Sequence, residues 1–202
     1  SFSSIDAIAP GVIMLLLIII PSAMTAVGVV REREIGSYAN LQASPARVFE
    51  FLIGKQIPYV AIGMVSFATL TAASVFGFGV VLKGSLGAAT LGAFAYVLAA
   101  TGLGLLISTV VRSQVAAIFA CALFTVIPAV NFSGFLNPVS SLGASTHWIA
   151  VIFPTAWFQT VAVGTFAKGL GFADLWREIA VLFLFAVAIV AAASAALDKQ
   201  ER

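Results

Sequence analysis

Apolar residues in this chain come as long unbroken runs rather than in alternation. Five such runs lie at about residues 10–30, 56–81, 87–111, 115–135 and 179–197, each near the roughly 20 residues that a helix needs to cross a bilayer. A transmembrane β-barrel would instead alternate polar and apolar positions over strands of about 10 residues, and these runs do not alternate. The pattern predicts an all-α fold: a polytopic transmembrane helical bundle of five spans. Pro21, Pro58 and Pro128 fall within or near the spans, where neighbouring helices can satisfy the carbonyls that proline frees.

The polar intervals divide unequally. Residues 31–55 concentrate charge, with Arg31, Glu32, Arg33 and Glu34 in succession, then Arg47, Glu50 and Lys55. Residues 136–177 are different in kind. They hold all three tryptophans (Trp148, Trp157 and Trp176), the single His147, the pair Asn137 and Pro138, and Pro154, with only a middling apolar piece at 148–153. That interval is too interrupted to span, so short re-entrant or interfacial helices are expected there, their tryptophans forming an interfacial belt. On one side of the membrane lie Arg31, Arg33, Arg47, Lys55, Arg112, Lys199 and Arg202; on the other lie Lys83, Lys168 and Arg177. The excess of Lys and Arg marks the cytosolic side, which puts the 31–55 loop and the carboxy terminus in the cytosol and leaves residues 1–9 as an external stub. The odd span count and the initial Ser1 read as the carboxy-terminal part of something longer.

Composition sharpens the class. Hydrophobic residues make up 61% of the chain and charged residues 9%, against roughly 45–50% and 25% in an ordinary soluble domain, and the mean hydropathy is +1.12. A net charge of +2 gives no reason to expect nucleic acid. The lone Cys121 sits inside an apolar run, so neither a disulfide framework nor a multi-cysteine metal site is available, and His147 lacks companions for a metal.

In the charged loop, the alternation of Arg31, Glu32, Arg33 and Glu34 uses two acids that a topology signal does not need. It can be a solvated connector, or a place where a soluble partner grips. Ser44 followed by Pro45 reads as a helix start, with the serine capping and the proline at the first helical position. With Tyr38 and Leu41, this gives a short amphipathic helix along the membrane face, whose fixed charges offer steering and register.

Glu32, Arg33, Glu34, Gly36, Ser37, Leu41, Ser44, Pro45 and then Gly54 and Lys55 resemble the cytosolic loop of the type-two ABC exporter permeases. That family more often has Thr at the place of Ser37. Two further blocks agree. The 102–114 stretch GLGLLISTVVRSQ is similar to a family connection between spans, with Gly102 and Gly104 read as close helix packing. The stretch from Phe132 and Ser133 through Asn137, Pro138, Trp148, Pro154 and Trp157 to the Gly164, Thr165, Phe166 triplet resembles the family's outer re-entrant helices. Many relatives carry Arg just before that triplet, where this chain has Val163.

The resemblance covers nearly the whole chain as the last five of six spans, closest in wording to permease portions fused to ribosome-associated ATPases, with plain drug-efflux permeases a near second. It implies a coupling helix in the 31–55 loop that docks on a nucleotide-binding domain, separate or fused. It also implies a second transmembrane half, as homo- or heterodimer, and a path lined by the first, second and fourth spans. ATP and Mg would be held by the partner, with no cofactor on this chain.

Other chemistries find no footing. Gly54 and Lys55 are followed by Gln56 and lack the upstream glycine of a phosphate loop, so this chain cannot cradle ATP by itself and is not expected to be an enzyme. A proton- or sodium-coupled carrier calls for an ionisable group at mid-membrane, whereas Asp6, Asp174, Glu178 and Asp198 all lie near span ends. A channel would call for a charged ring within the spans. Ser133 with His147 makes a poor nucleophile and base, because His147 lies in the outer connection. Asn131 is the most notable polar residue in a span, either for hydrogen bonding between helices or, with Phe132 and Ser133, for lining a substrate path. The expected function is the permease part of an ATP-driven exporter in a bacterial inner membrane, in contact with membrane lipid. The rival is a membrane anchor for an ATPase that acts on a soluble target such as the ribosome.

Overall fold

The computed structural model describes residues 4–35, 48–133 and 151–198. Among these residues the chain is helical and contains no strand. Helix α1 runs Ser4–Glu34 and α2 runs Val48–Ala72, continued by one π turn at Ala73–Gly77. Helix α3 covers Leu86–Val110 and α4 Gln114–Phe132. The short α5, Pro154–Val163, closes in a second π turn at Gly164–Lys168, and α6 covers Phe172–Asp198. Five of these helices are long and apolar enough to cross a membrane.

Several helices outrun their apolar runs. Residues 4–9, expected as an external stub, form the first turns of α1, and Pro10 lies inside that helix. At the other end α1 carries on through Arg31, Glu32, Arg33 and Glu34, which the apolar pattern assigns to a loop. The next helix already starts at Val48, so Glu50 and Lys55 are helical too. Likewise α6 begins at Phe172, taking Trp176 and Arg177 from the interval read as re-entrant. The physical reason is common to all three. A polar side chain does not end a helix whose backbone ladder can continue, and the charges suit the helix dipole: Arg31 and Arg33 in the last turn of α1, Glu50 and Asp174 in the first turns of α2 and α6.

Helices α1 and α3 are the most buried, and α2, α4 and α6 surround them with broad apolar faces turned outward. Helix α3 can sit centrally because it is built from small residues. A Cβ on Gly104 would lie 2.3 Å from the Ser22 carbonyl oxygen of α1, and one on Gly102 would lie 3.1 Å from Ile189 Cγ2 of α6. Both glycines therefore act in packing, as the sequence implies, on two different neighbours. Tyr96 of α3 is fully buried; its ring stacks on Phe158 of α5 with centroids 4.3 Å apart, and its hydroxyl donates to the Met14 carbonyl of α1 at 3.2 Å. Gln56 of α2 donates its amide to the Leu98 carbonyl at 2.9 Å and to Thr101 Oγ1 at 2.8 Å, tying α2 to α3. Pro21 within α1 is flanked by hydroxyls that serve nearby carbonyls: Ser22 Oγ donates to Ile18 O at 2.5 Å, and Thr25 Oγ1 to Pro21 O at 2.6 Å.

Helix α5 starts with Pro154 at its first position, favoured because a proline there forfeits only an unpaired N–H. It is buried against α1, α3 and α6. The connection before α3 is fastened to it, with the Gly84 amide donating to Thr165 O at 2.8 Å and the Ser85 amide to Leu170 O at 3.3 Å.

Candidate functional site

The end of α1 reaches three other helices with three consecutive side chains. Glu32 forms an ion pair with Lys55 of α2. Arg33 Nη1 donates to the Ser108 carbonyl in the last turn of α3 at 2.8 Å. Glu34 accepts from both nitrogens of Gln114, the first residue of α4: the backbone amide reaches Oε1 at 3.1 Å and Nε2 reaches Oε2 at 2.5 Å. Successive helix residues point about 100° apart, so a run of three covers most of a turn. Such a run can address three neighbours only where the helix end is surrounded, as α1 is by α2, α3 and α4.

The electrostatics of this latch are matched on both sides of one corner. The last carbonyls of α3 carry the negative end of a helix dipole and the first amides of α4 carry the positive end. Arg33 meets the former and Glu34 the latter. Between them the chain turns in only Val111, Arg112 and Ser113, and the Ser113 hydroxyl caps α4 by accepting from the Ala116 amide at 3.2 Å. The α3–α4 corner is thus held by both members of the Arg33, Glu34 pair, while Glu32 adds α2. Glu32 and Lys55 are each about one-third exposed, with side-chain exposures of 34% and 32%, so this ion pair is partly screened. Arg33 is half-buried.

Helix α4 has few other ties. Deeper in the membrane, Cys121 Sγ donates to the Ser22 carbonyl of α1 at 3.6 Å. That carbonyl is the one against which Gly104 packs. Between the outgoing end of α3 and α4 there is an apolar gap of about 270 Å³, lined by Leu103, Ile107, Val111, Ala120, Phe124 and Phe153. Helix α4 therefore rides on α1 more than on α3.

The other site residues expected from sequence divide as follows. Gly36, Ser37, Leu41, Ser44 and Pro45, with Tyr38, lie outside the described residues, as do Asn137, Pro138, His147 and Trp148. Asn131 makes no bond to another helix in the described residues; its Nδ2 donates to its own helix at Ile127 O, 2.8 Å away, and the residue is exposed. Phe132 is half-buried and Ser133 buried at the end of α4. Trp157 is half-buried and donates to Val151 O at 3.0 Å, and Pro154 is buried. Among the described residues no group of three or more His, Cys, Asp or Glu side chains could hold a metal ion. Lys55, Ser108 and Gln114 enter the latch through pairings across 23, 75 and 80 residues, for which the sequence carries no local signal.

Five bilayer-length helices around a small-residue centre, closed at one end by a charged latch, define a polytopic integral membrane protein. Residues 1–195 match the family model described as ABC-2 family transporter protein, and the chain belongs to that family. It is 30% identical over 183 residues to the probable multidrug ABC transporter permease YbhS of Escherichia coli K12, a match that covers 91% of this chain and 48% of that protein. Over 182 residues it is 26% identical to the inner membrane transport permease YhhJ of the same organism, covering 90% and 47%. With ABC transporter G family member 20 of Dictyostelium discoideum the identity is 26% over 200 residues, covering 98% of this chain and 27% of that protein. The chain spans about half the length of the bacterial relatives. Its class is that of a membrane permease component.

Proposed function

We propose that this chain is the membrane half of an ATP-driven exporter, and that the Glu32, Arg33, Glu34 latch passes the ATPase stroke to the rest of the bundle. The partner ATPase, fused or separate, binds ATP and Mg and docks on residues 36–47 at the cytosolic face. Those residues connect α1 to α2, so a push there displaces both helix ends. The observation that carries the reading is the triple attachment of α1 to α2, α3 and α4 by three consecutive charged side chains. A displaced α1 end cannot move without drawing the α3–α4 corner with it, or breaking the part-buried Arg33 bond, about 1.5–3 kcal/mol, together with the weaker, solvent-screened bonds of Glu32 and Glu34.

In this reading two such halves pair around a central path, the membrane is the bacterial inner membrane, and the cargo is amphipathic. The names of the relatives, multidrug and inner membrane transport permeases, support the last two points. The two acids of the latch are used inside the chain, so their role is transmission rather than contact with the ATPase.

The test is the complete transporter in vesicles, assayed for ATP hydrolysis and for ATP-dependent movement of a fluorescent amphipathic dye. Glu32→Gln with Glu34→Gln is expected to leave insertion and hydrolysis in place and to lower transport per ATP. Unchanged transport in the double variant would overturn the latch. Hydrolysis without any dye movement in the wild type would favour an anchoring role.

A further inference from the structure

At the end of the bundle opposite the latch, the seam between α2 and α3 opens into a groove of about 460 Å³, lined by Phe67, Ala68, Thr71, Phe76 and Leu82 among others. A second groove of about 470 Å³ shares Met64, Leu86 and Thr90 with it and continues along α3 to Phe94. From Leu86 to Phe94 the helix rises about 12 Å. The two make one apolar trough, each part within the roughly 300–1,000 Å³ of ligand sites.

Three polar features stand at the mouth and throat of this trough. Lys83 lies between the lining residues Leu82 and Leu86. A Cβ on Gly169 would sit 3.5 Å from the Lys83 carbonyl oxygen, so the turn that holds Lys168 and Gly169 packs against the Lys83 backbone. Helix α3 starts at the same place, with Ser85 as its cap, so its positive dipole end adds to the two lysines. Thr71 lines the groove, is 8% exposed, and its buried Oγ1 has no hydrogen-bond partner. Among the lining residues there is no carboxylate.

We propose that this seam holds one anionic phospholipid of the adjoining leaflet. Its phosphate lies against Lys83, Lys168 and the start of α3. Rotation of Thr71 about χ1 brings its Oγ1, which is closed to solvent in this structure, to an ester carbonyl, and one acyl chain follows the trough toward Phe94. The order cation, hydroxyl, hydrocarbon matches the order of groups along such a lipid from headgroup to tail.

Native mass spectrometry of the complete transporter, titrated with phosphatidylglycerol or phosphatidylcholine, reads lipid count and assembly state together. One phosphatidylglycerol per chain is expected in preference to phosphatidylcholine. Lys83→Gln with Lys168→Gln is expected to weaken it about tenfold. Ala68→Trp, at an exposed position that needs no core rearrangement, is expected to fill the groove and abolish the adduct with assembly intact. Thr71→Val is expected to remove a preference for diacyl over diether phosphatidylglycerol. Unchanged lipid binding in either the lysine pair variant or Ala68→Trp would overturn the proposal. Loss of assembly in Ala68→Trp would overturn it too, giving the groove to a second copy.

Discussion

Replacing Gly104 by alanine places a Cβ 2.3 Å from the Ser22 carbonyl oxygen and 2.9 Å from Thr25 Cβ. A carbon and a carbonyl oxygen meet ordinarily at about 3.3–3.6 Å, so α1 and α3 have to part by about 1 Å. Forcing an extra carbon into a packed seam costs about 1–3 kcal/mol, from which alanine's better helix propensity returns up to about 1 kcal/mol. Gly54 of α2 supplies the control, because a Cβ there meets nothing within 4 Å. Gly54→Ala collects the propensity gain without the clash. For a chain of this size each kcal/mol moves the melting temperature by roughly 2–4 °C, so the two variants should separate in opposite directions from wild type. Cys121, the single cysteine of the sequence, is fully buried and makes a fluorogenic thiol dye a direct reporter of unfolding in detergent. A Gly104→Ala protein that melts at or above wild type would refute the close α1–α3 contact on which the packing argument rests.

Further outcomes follow from the polar ties inside the bundle. Gln56→Leu removes both bonds to α3 and should lower stability by about 1 kcal/mol, read in the same melt; no change would mean those bonds contribute nothing in the membrane. Tyr96→Phe loses only the hydroxyl bond to Met14 and should cost about 0.6 kcal/mol. Tyr96→Leu also loses the stack on Phe158, adding about 0.5–1.5 kcal/mol, and equal melts for the two would deny the stack a role. Arg33→Gln should melt lower than Glu32→Gln, since Arg33 faces a helix carbonyl end while the Glu32–Lys55 pair is partly solvated.

The bundle was legible in the sequence because bilayer spans are written as uninterrupted apolar runs, and packing at Gly102 and Gly104 because small residues leave the room for it. Helix ends were less so. Arg31 to Glu34 read as loop by charge, yet Glu32, Arg33 and Glu34 find partners on three helices and the backbone continues. The alternation of acids and bases stands out in the sequence. Its partners were hidden, since Ser108 is recruited through its main chain and Gln114 from 80 residues away. Asn131 reads as an interhelical or path-lining residue; its amide bonds its own helix at Ile127 O and its side of α4 is exposed.

The central claim is that the latch carries ATPase motion from α1 to α4. It is tested most directly by electron paramagnetic resonance distances between spin labels at the exposed Leu184 of α6, a helix outside the latch, and Phe119 of α4, in the complete transporter with Cys121 replaced by alanine. The account predicts that ATP binding changes this distance in the wild-type latch, and that Arg33→Gln with Glu34→Gln abolishes the change while ATP hydrolysis persists. The same ATP-driven change in both proteins would contradict it.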